Sequence, residues 1–106
     1  MIPEDNPSEV MNIIVSGGDA RKACLAAVDS AKNGDFAAAK KELDAASAAI
    51  GVAQKAHNRL LSQEARGVGP DFSVLLVHAE SHLGNAQALY DMAKEFVLLY
   101  KELRTK

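Results

Sequence analysis

Two histidines one helical turn apart, His78 and His82, stand with Asn85 on a seam that runs from Leu75 to Leu89 and is otherwise apolar; Ser81 lies one residue away. Residues four apart share a helix face, and an unpartnered buried polar group costs about 1–3 kcal/mol, so the cluster needs a reason. The pattern admits three readings. The histidines are satisfied core residues that specify packing. Or they are metal ligands, because an i, i+4 pair of histidines can hold zinc; His57 would add a third ligand, since antiparallel pairing across the turn at Gly67-Val68-Gly69-Pro70-Asp71 brings it to the level of Ser81. Or one imidazole is a nucleophile that takes up a phosphoryl group and passes it on, which suits a ring that is neutral near pH 7. Nothing else has a catalytic pattern. There is no Gly-rich phosphate loop, no Gly-x-Ser-x-Gly elbow and no His-Glu-x-x-His motif. Glu80 and Asp91 read as solvated helix-surface carboxylates, and Cys24, within an Ala-rich apolar stripe, reads as a small core residue.

Composition narrows the classes. The 106 residues are enough for one domain with a core. Twelve Lys and Arg against fourteen Asp and Glu give a net charge of −2, without the basic excess that a nucleic-acid partner demands. The longest apolar runs, such as Val74-Leu75-Leu76-Val77, fall far short of the roughly 20 residues of a membrane span. The acidic start, Met1-Ile2-Pro3-Glu4-Asp5, lacks the regions of a signal peptide. A single cysteine fits a reducing compartment. A soluble cytoplasmic protein is expected.

The elements that position the histidines are helices. Prolines occur at positions 3, 7 and 70, so nothing between Ser8 and Gly69 obliges a helix to break. Asn33-Gly34-Asp35 suits the end of one helix and the N-cap of the next. After the turn at 67–71, Asp71 or Ser73 can cap a third. Apolar residues step by four and three through Val10, Ile14, Gly17, Cys24, Val28 and Ala31, interrupted by Arg21. They do so again through Phe36, Ala39, Leu43, Ala46, Ile50, Ala53 and Leu60, with His57 in the same register. In the third segment Leu75, Leu89, Met92, Phe96, Leu99 and Leu103 form the seam. No stretch alternates with period two. The expectation is an all-α, antiparallel up-down-up bundle forming one domain over 1–106, with helices at about 8–33, 35–66 and 73–104 and a flexible segment 1–7. Gly17-Gly18 weakens the first helix and marks a kink, a close approach or an early end. Leu76, Val77, Leu83, Ala86, Tyr90, Val97, Leu98 and Tyr100 lie off the third seam. A helix apolar round much of its girth is buried on more than one side, so a second subunit is expected against Leu76, Leu83, Tyr90 and Val97.

Three motifs in order carry a resemblance. Ser73-Val74-Leu75-Leu76-Val77-His78-Ala79-Glu80-Ser81-His82-Leu83 resembles the Ser-Leu-Leu-Leu-Val-His-Ala-Gln-Asp-His-Leu-Met signature of IIA proteins of the lactose/N,N′-diacetylchitobiose/cellobiose branch of the sugar phosphotransferase system. Ala31-Lys32-Asn33-Gly34-Asp35-Phe36 is similar to that family's first turn, and Gly17-Gly18-Asp19-Ala20-Arg21 to its Ala-Gly-Asn-Ala-Arg. The similarity spans about residues 8 to 104.

The resemblance implies a homotrimer of three-helix bundles with the active histidine in a groove between subunits. It implies that His78 accepts phosphate from the histidine-containing phosphocarrier protein and gives it to a cysteine of IIB, which serves the membrane-embedded IIC transporter. His82 takes a supporting role, and Gln54, His57 and Asn85 are candidate binding residues near the site. The chain departs from the pattern at Ser81, which stands where the motif aspartate is expected, at Gly84 in place of methionine, and at Ala53-Gln54-Lys55-Ala56-His57-Asn58, where members often carry Ala-His-x-x-Gln-Thr. In the family that aspartate, from all three subunits, holds a cation near the trimer axis. With Ser81 there, no metal and no cofactor is expected. The alternative function is a non-catalytic helical adaptor or regulator that keeps the fold without the transfer.

Overall fold

Asp35 and Ser73 each open a helix by the same device, a side-chain oxygen that accepts from a backbone N–H three residues on. Asp35 accepts from Ala38 and Ser73 from Leu76, both at 3.0 Å, satisfying a donor that the first helical turn leaves unpaired. A computed structural model of the chain, describing residues 5–105, contains three α-helices: α1 Asp5–Lys32, α2 Phe36–Ala65 and α3 Val74–Arg104. Residues 1–4 of the segment expected to be flexible lie outside the described residues. Both turns begin with a left-handed glycine, Gly34 at φ 84° and Gly67 at φ 77°. Each is bracketed by the paired hydrogen bonds of a Schellman end: Asp35 and Gly34 donate to Ser30 and Ala31, and Val68 and Gly67 to Gln63 and Glu64. No strand occurs among the described residues.

Cross-helix contacts fix the directions. Ser30 donates to Glu42 and Arg59 to Glu9, so positions in α1 rise as those in α2 fall. His57 meets Glu80 and Gln87 meets Gln54, which sets α3 antiparallel to α2. Gly17 faces His82, and Arg104 donates to the Lys32 carbonyl, so α3 runs parallel to α1. The result is an up-down-up rod of 60 × 19 × 16 Å. None of its helices is long and apolar enough to cross a membrane.

The core is built from small residues. In α1 the inward seam is Val10, Ile13, Gly17, Ala20, Cys24, Ala27 and Ala31, and in α2 it is Ala39, Ala46, Ala53, Ala56 and Leu60. Among fully buried side chains the largest are Ile13 and Cys24. Such seams let helix backbones approach closely. Ile14 and Val28, expected on the α1 stripe, are half-buried flanks of it, and Arg21 is exposed rather than an interruption. α1 runs unbroken through Gly17-Gly18. Of the three readings of that pair, the close approach is the one realised: a Cβ on Gly17 would stand 3.1 Å from His82 Cβ and 3.3 Å from its carbonyl carbon, whereas one on Gly18 meets nothing within 4 Å.

The third helix turns inward a face that neighbours, rather than contains, the seam its large residues suggest; of that seam only Leu89 packs against the core. Ala79, Leu83, Ala86 and Ala93 are buried, with Leu76 and Tyr90 packed against the same clusters. Leu83 is buried and Leu76, Tyr90 and Val97 are half-buried, so the chain's own helices already cover part of the row on which a second subunit was expected. Outward lie Leu75, Met92, Phe96, Leu99 and Leu103, each between 43% and 58% exposed. The physical reason is the alanines: they carry little hydrophobic weight in a sequence yet are what a tight helix–helix seam requires. The polar cluster at 78–85 thus interrupts an exposed apolar stripe rather than the core.

Candidate functional site

His78 sits just past the first turn of α3, five residues after the capping Ser73, and is exposed. His82 follows one turn later and is half-buried. The two rings meet edge to face, 4.4 Å between centroids at 69°. His82 is held from behind, because Gly17 of α1 passes against its Cβ and backbone. A side chain at position 17 would push the α3 backbone outward at the residue that supports His78. Ser81 and Asn85 complete the face, both exposed.

Beside these residues a cavity of about 290 Å³ opens between α1 and α3, lined by Gly17, Arg21, His82, Asn85 and Ala86. Arg21 enters it one turn beyond Gly17, and its guanidinium has no hydrogen-bond or ion-pair partner among the described residues. As an interruption of an apolar stripe and the last residue of a motif, Arg21 was visible in the sequence. Its place beside His82 was not, because it depends on the relative height of two helices.

Of the residues expected near the site, Asn85 lies with the histidines, while Gln54 and His57 do not meet them within the chain. At about 100° per residue, Glu80 and Gln87 lie roughly opposite His78 on α3, and these two engage α2. His57 Nδ1 is 2.7 Å from one Glu80 oxygen and 2.9 Å from the other. Gln87 donates to Gln54 at 2.7 Å, and Gln54 donates to Asn58 at 3.1 Å. Glu80 is thus no merely solvated carboxylate: it ties α3 to α2 and shares a second cavity of about 250 Å³ with His57, Leu60, Leu61, Glu64, Pro70 and Leu76. Asp91 does lie at the surface, with Lys94 at 3.8 Å. Cys24 is buried, and desolvation pushes its thiol pKa up.

Ser81 and the two histidines are a poor donor set for a hard divalent cation. Ser81 offers one neutral hydroxyl where a carboxylate would be needed. Among the described residues of one chain no group of three or more His, Cys, Asp or Glu could hold a metal.

The structure is thus an all-α, three-helix up-down-up protein with an exposed histidine pair near the start of its last helix. Residues 8–101 match the family described as PTS system, lactose/cellobiose-specific IIA subunit, and the chain belongs to it. It is 34% identical over 100 residues to the lichenan-specific phosphotransferase enzyme IIA component of Bacillus subtilis (strain 168), covering 94% of this chain and 91% of that protein. To the N,N′-diacetylchitobiose-specific EIIA component of Escherichia coli (strain K12) it is 33% identical over 101 residues, 95% of this chain and 87% of the other. The crystal structure of the PTS cellobiose-specific enzyme IIA from Bacillus anthracis superposes with a TM-score of 0.93 at 36% identity, covering all of this chain and 96% of that one. The chain is thus a IIA component, one of the phosphotransferase components of sugar uptake.

Proposed function

We propose that this protein is a cytoplasmic phosphocarrier that accepts a phosphoryl group on His78 from the histidine-containing phosphocarrier protein and delivers it to a cysteine of its IIB partner. The observation that carries the proposal is the exposed His78 ring set against His82 on the helix that bears the family's signature. In the loading step the unprotonated nitrogen of His78 attacks phosphorus; one P–N bond forms, the donor's P–N bond breaks, and its electron pair returns to the donor imidazole. Each ring keeps the proton on its other nitrogen. In the unloading step a thiolate displaces the phosphoryl group, a P–S bond forms, and His78 regains its lone pair. Neither step needs a general acid, so the protein's task is to position the ring and stabilise the charge. His82 orients His78, and the free N–H groups at the start of α3 favour the incoming negative charge modestly. Gln54 and His57 of another subunit are candidates to face the inter-subunit groove, and the membrane is reached only through IIB and IIC.

The test is incubation with phosphoenolpyruvate, enzyme I and the histidine-containing phosphocarrier protein. The expected result is one acid-labile, alkali-stable phosphoryl group per chain, mapped to His78 and chased onto IIB. A chain that stays unlabelled while a known IIA is labelled in the same mixture would instead be an adaptor that keeps the fold without transfer.

A further inference from the structure

We infer that the cavity between α1 and α3 is an oxyanion subsite in which Arg21 supplies the positive charge and Asn85 a neutral donor for the phosphoryl group at His78. The inference rests on the proposed use of His78 and adds a positioning residue from a different helix.

The argument begins with the motif Gly17-Gly18-Asp19-Ala20-Arg21, of which packing explains only part. Gly17 is required by the close approach to His82, and Ala20 is in the buried seam. Arg21 is exposed and packs in no seam, yet it lines the cavity with His82 and Asn85. Because α1 and α3 run parallel and Gly17 stands level with His82, Arg21 starts about one turn above that level. Helical side chains lean back toward the N-terminus, which returns the guanidinium toward His82. Asn85, one turn above His82 on α3, leans the same way. His82 in turn touches the His78 ring, so the cavity opens one imidazole away from the nucleophile.

Charge supports the same assignment. A phosphoryl group brings roughly two negative charges near neutral pH. Ser81 and Asn85 on the face that receives it are neutral, and Glu80 is turned away to His57. Arg21 is the cation lining the cavity, and among the described residues it has no carboxylate partner to displace before it can act. A guanidinium offers a planar fork that matches phosphate oxygens. It neither gains nor loses a proton during transfer, so it acts by placement alone.

Two measurements test this. In the first, inorganic phosphate is titrated into the unphosphorylated protein while the Arg21 Nε–H and His82 ring signals are followed by NMR. Both signals should move together and saturate, and Arg21→Gln should abolish the His82 response; coincident titrations of wild type and Arg21→Gln would overturn the subsite. In the second, the phosphorylated protein is titrated by phosphorus NMR. A nearby cation favours the dianion, so the phosphoryl group should titrate at lower pH in the wild type than in Arg21→Gln, with Arg21→Lys between them. Transfer to IIB should slow about a hundredfold in Arg21→Gln at unchanged helicity and melting temperature. Equal titrations and equal rates would overturn the role. A wild type that binds phosphate in the cavity but never labels at His78 would keep the subsite and sink the phosphocarrier proposal instead.

Discussion

The exposed position of His78 separates its chemistry from the stability of the fold. The residue is exposed and its ring meets His82 edge to face, so His78→Gln should remove all labelling while changing stability by less than about 0.5 kcal/mol. His82→Gln should still label, more slowly, because the nucleophile is intact but no longer held. Labelling of the first variant and silence of the second, read by phosphopeptide mapping and thermal melts, would mean that the roles are reversed. The His57–Glu80 pair belongs to the opposite side of α3. Its groups are 25% and 35% exposed, and a pair in contact with solvent contributes at most about 1 kcal/mol. Glu80→Gln should therefore lower stability by no more than that and leave labelling at the wild-type rate; a large loss of labelling would place the pair in the site. Cys24 was legible from its Ala-rich surroundings as a core residue. The pairing of Glu80 was not, since a lone carboxylate on a helix carries no mark of a partner 23 residues earlier.

At the scale of the element, the two neighbouring glycines of α1 separate intrinsic preference from packing. Gly18 has open space beside it, so Gly18→Ala should stabilise by up to about 1 kcal/mol through helix propensity. Gly17→Ala has the same propensity to gain, but its Cβ presses on the stiff backbone of α3 at His82. We expect a net loss of about 1 kcal/mol and altered His78 and His82 ring shifts, measured by denaturant unfolding and NMR. Equal stabilisation by both changes would show that the close approach is slack. The ends of the helices were legible because they depend on local chemistry: Gly34, Asp35 and Ser73 act on backbone groups within a few residues. The inward face of α3 was not. Its two apolar stripes compete, and the stripe rich in Leu, Met and Phe outweighs the one punctuated by Ala79, Ala86 and Ala93, although the second is the one a close-packed neighbour selects. The same bias placed the histidines in the core, when His78 is exposed and His82 lies half-buried at the edge of α1.

For the whole molecule, that outer stripe is the feature that one chain leaves unfinished. Met92, Phe96, Leu99 and Leu103 are exposed along one side of α3. At about 100° per residue, Leu99 lies five full turns beyond Ser81, at the same angle around the helix. We propose that three chains bury this stripe against one another, which brings three copies of Ser81 close together. Three carboxylates in that place would repel strongly, and a cation would relieve them. Three hydroxyls do not repel; they can hydrogen-bond to one another or to a trapped water. The assembly should therefore hold without metal. Sedimentation equilibrium is expected to give about three chain masses, unchanged by chelator, and elemental analysis to find well below one ion per trimer. Ser81→Asp should restore the repulsion and make the trimer dependent on an added divalent ion, while Leu99→Glu should disperse it through burial of charge along the stripe. A stoichiometric metal that leaves with chelator and takes the trimer with it would show that His82 or His57 ligates where Ser81 does not. A monomer at every concentration would mean that the exposed face of α3 serves the partner proteins alone.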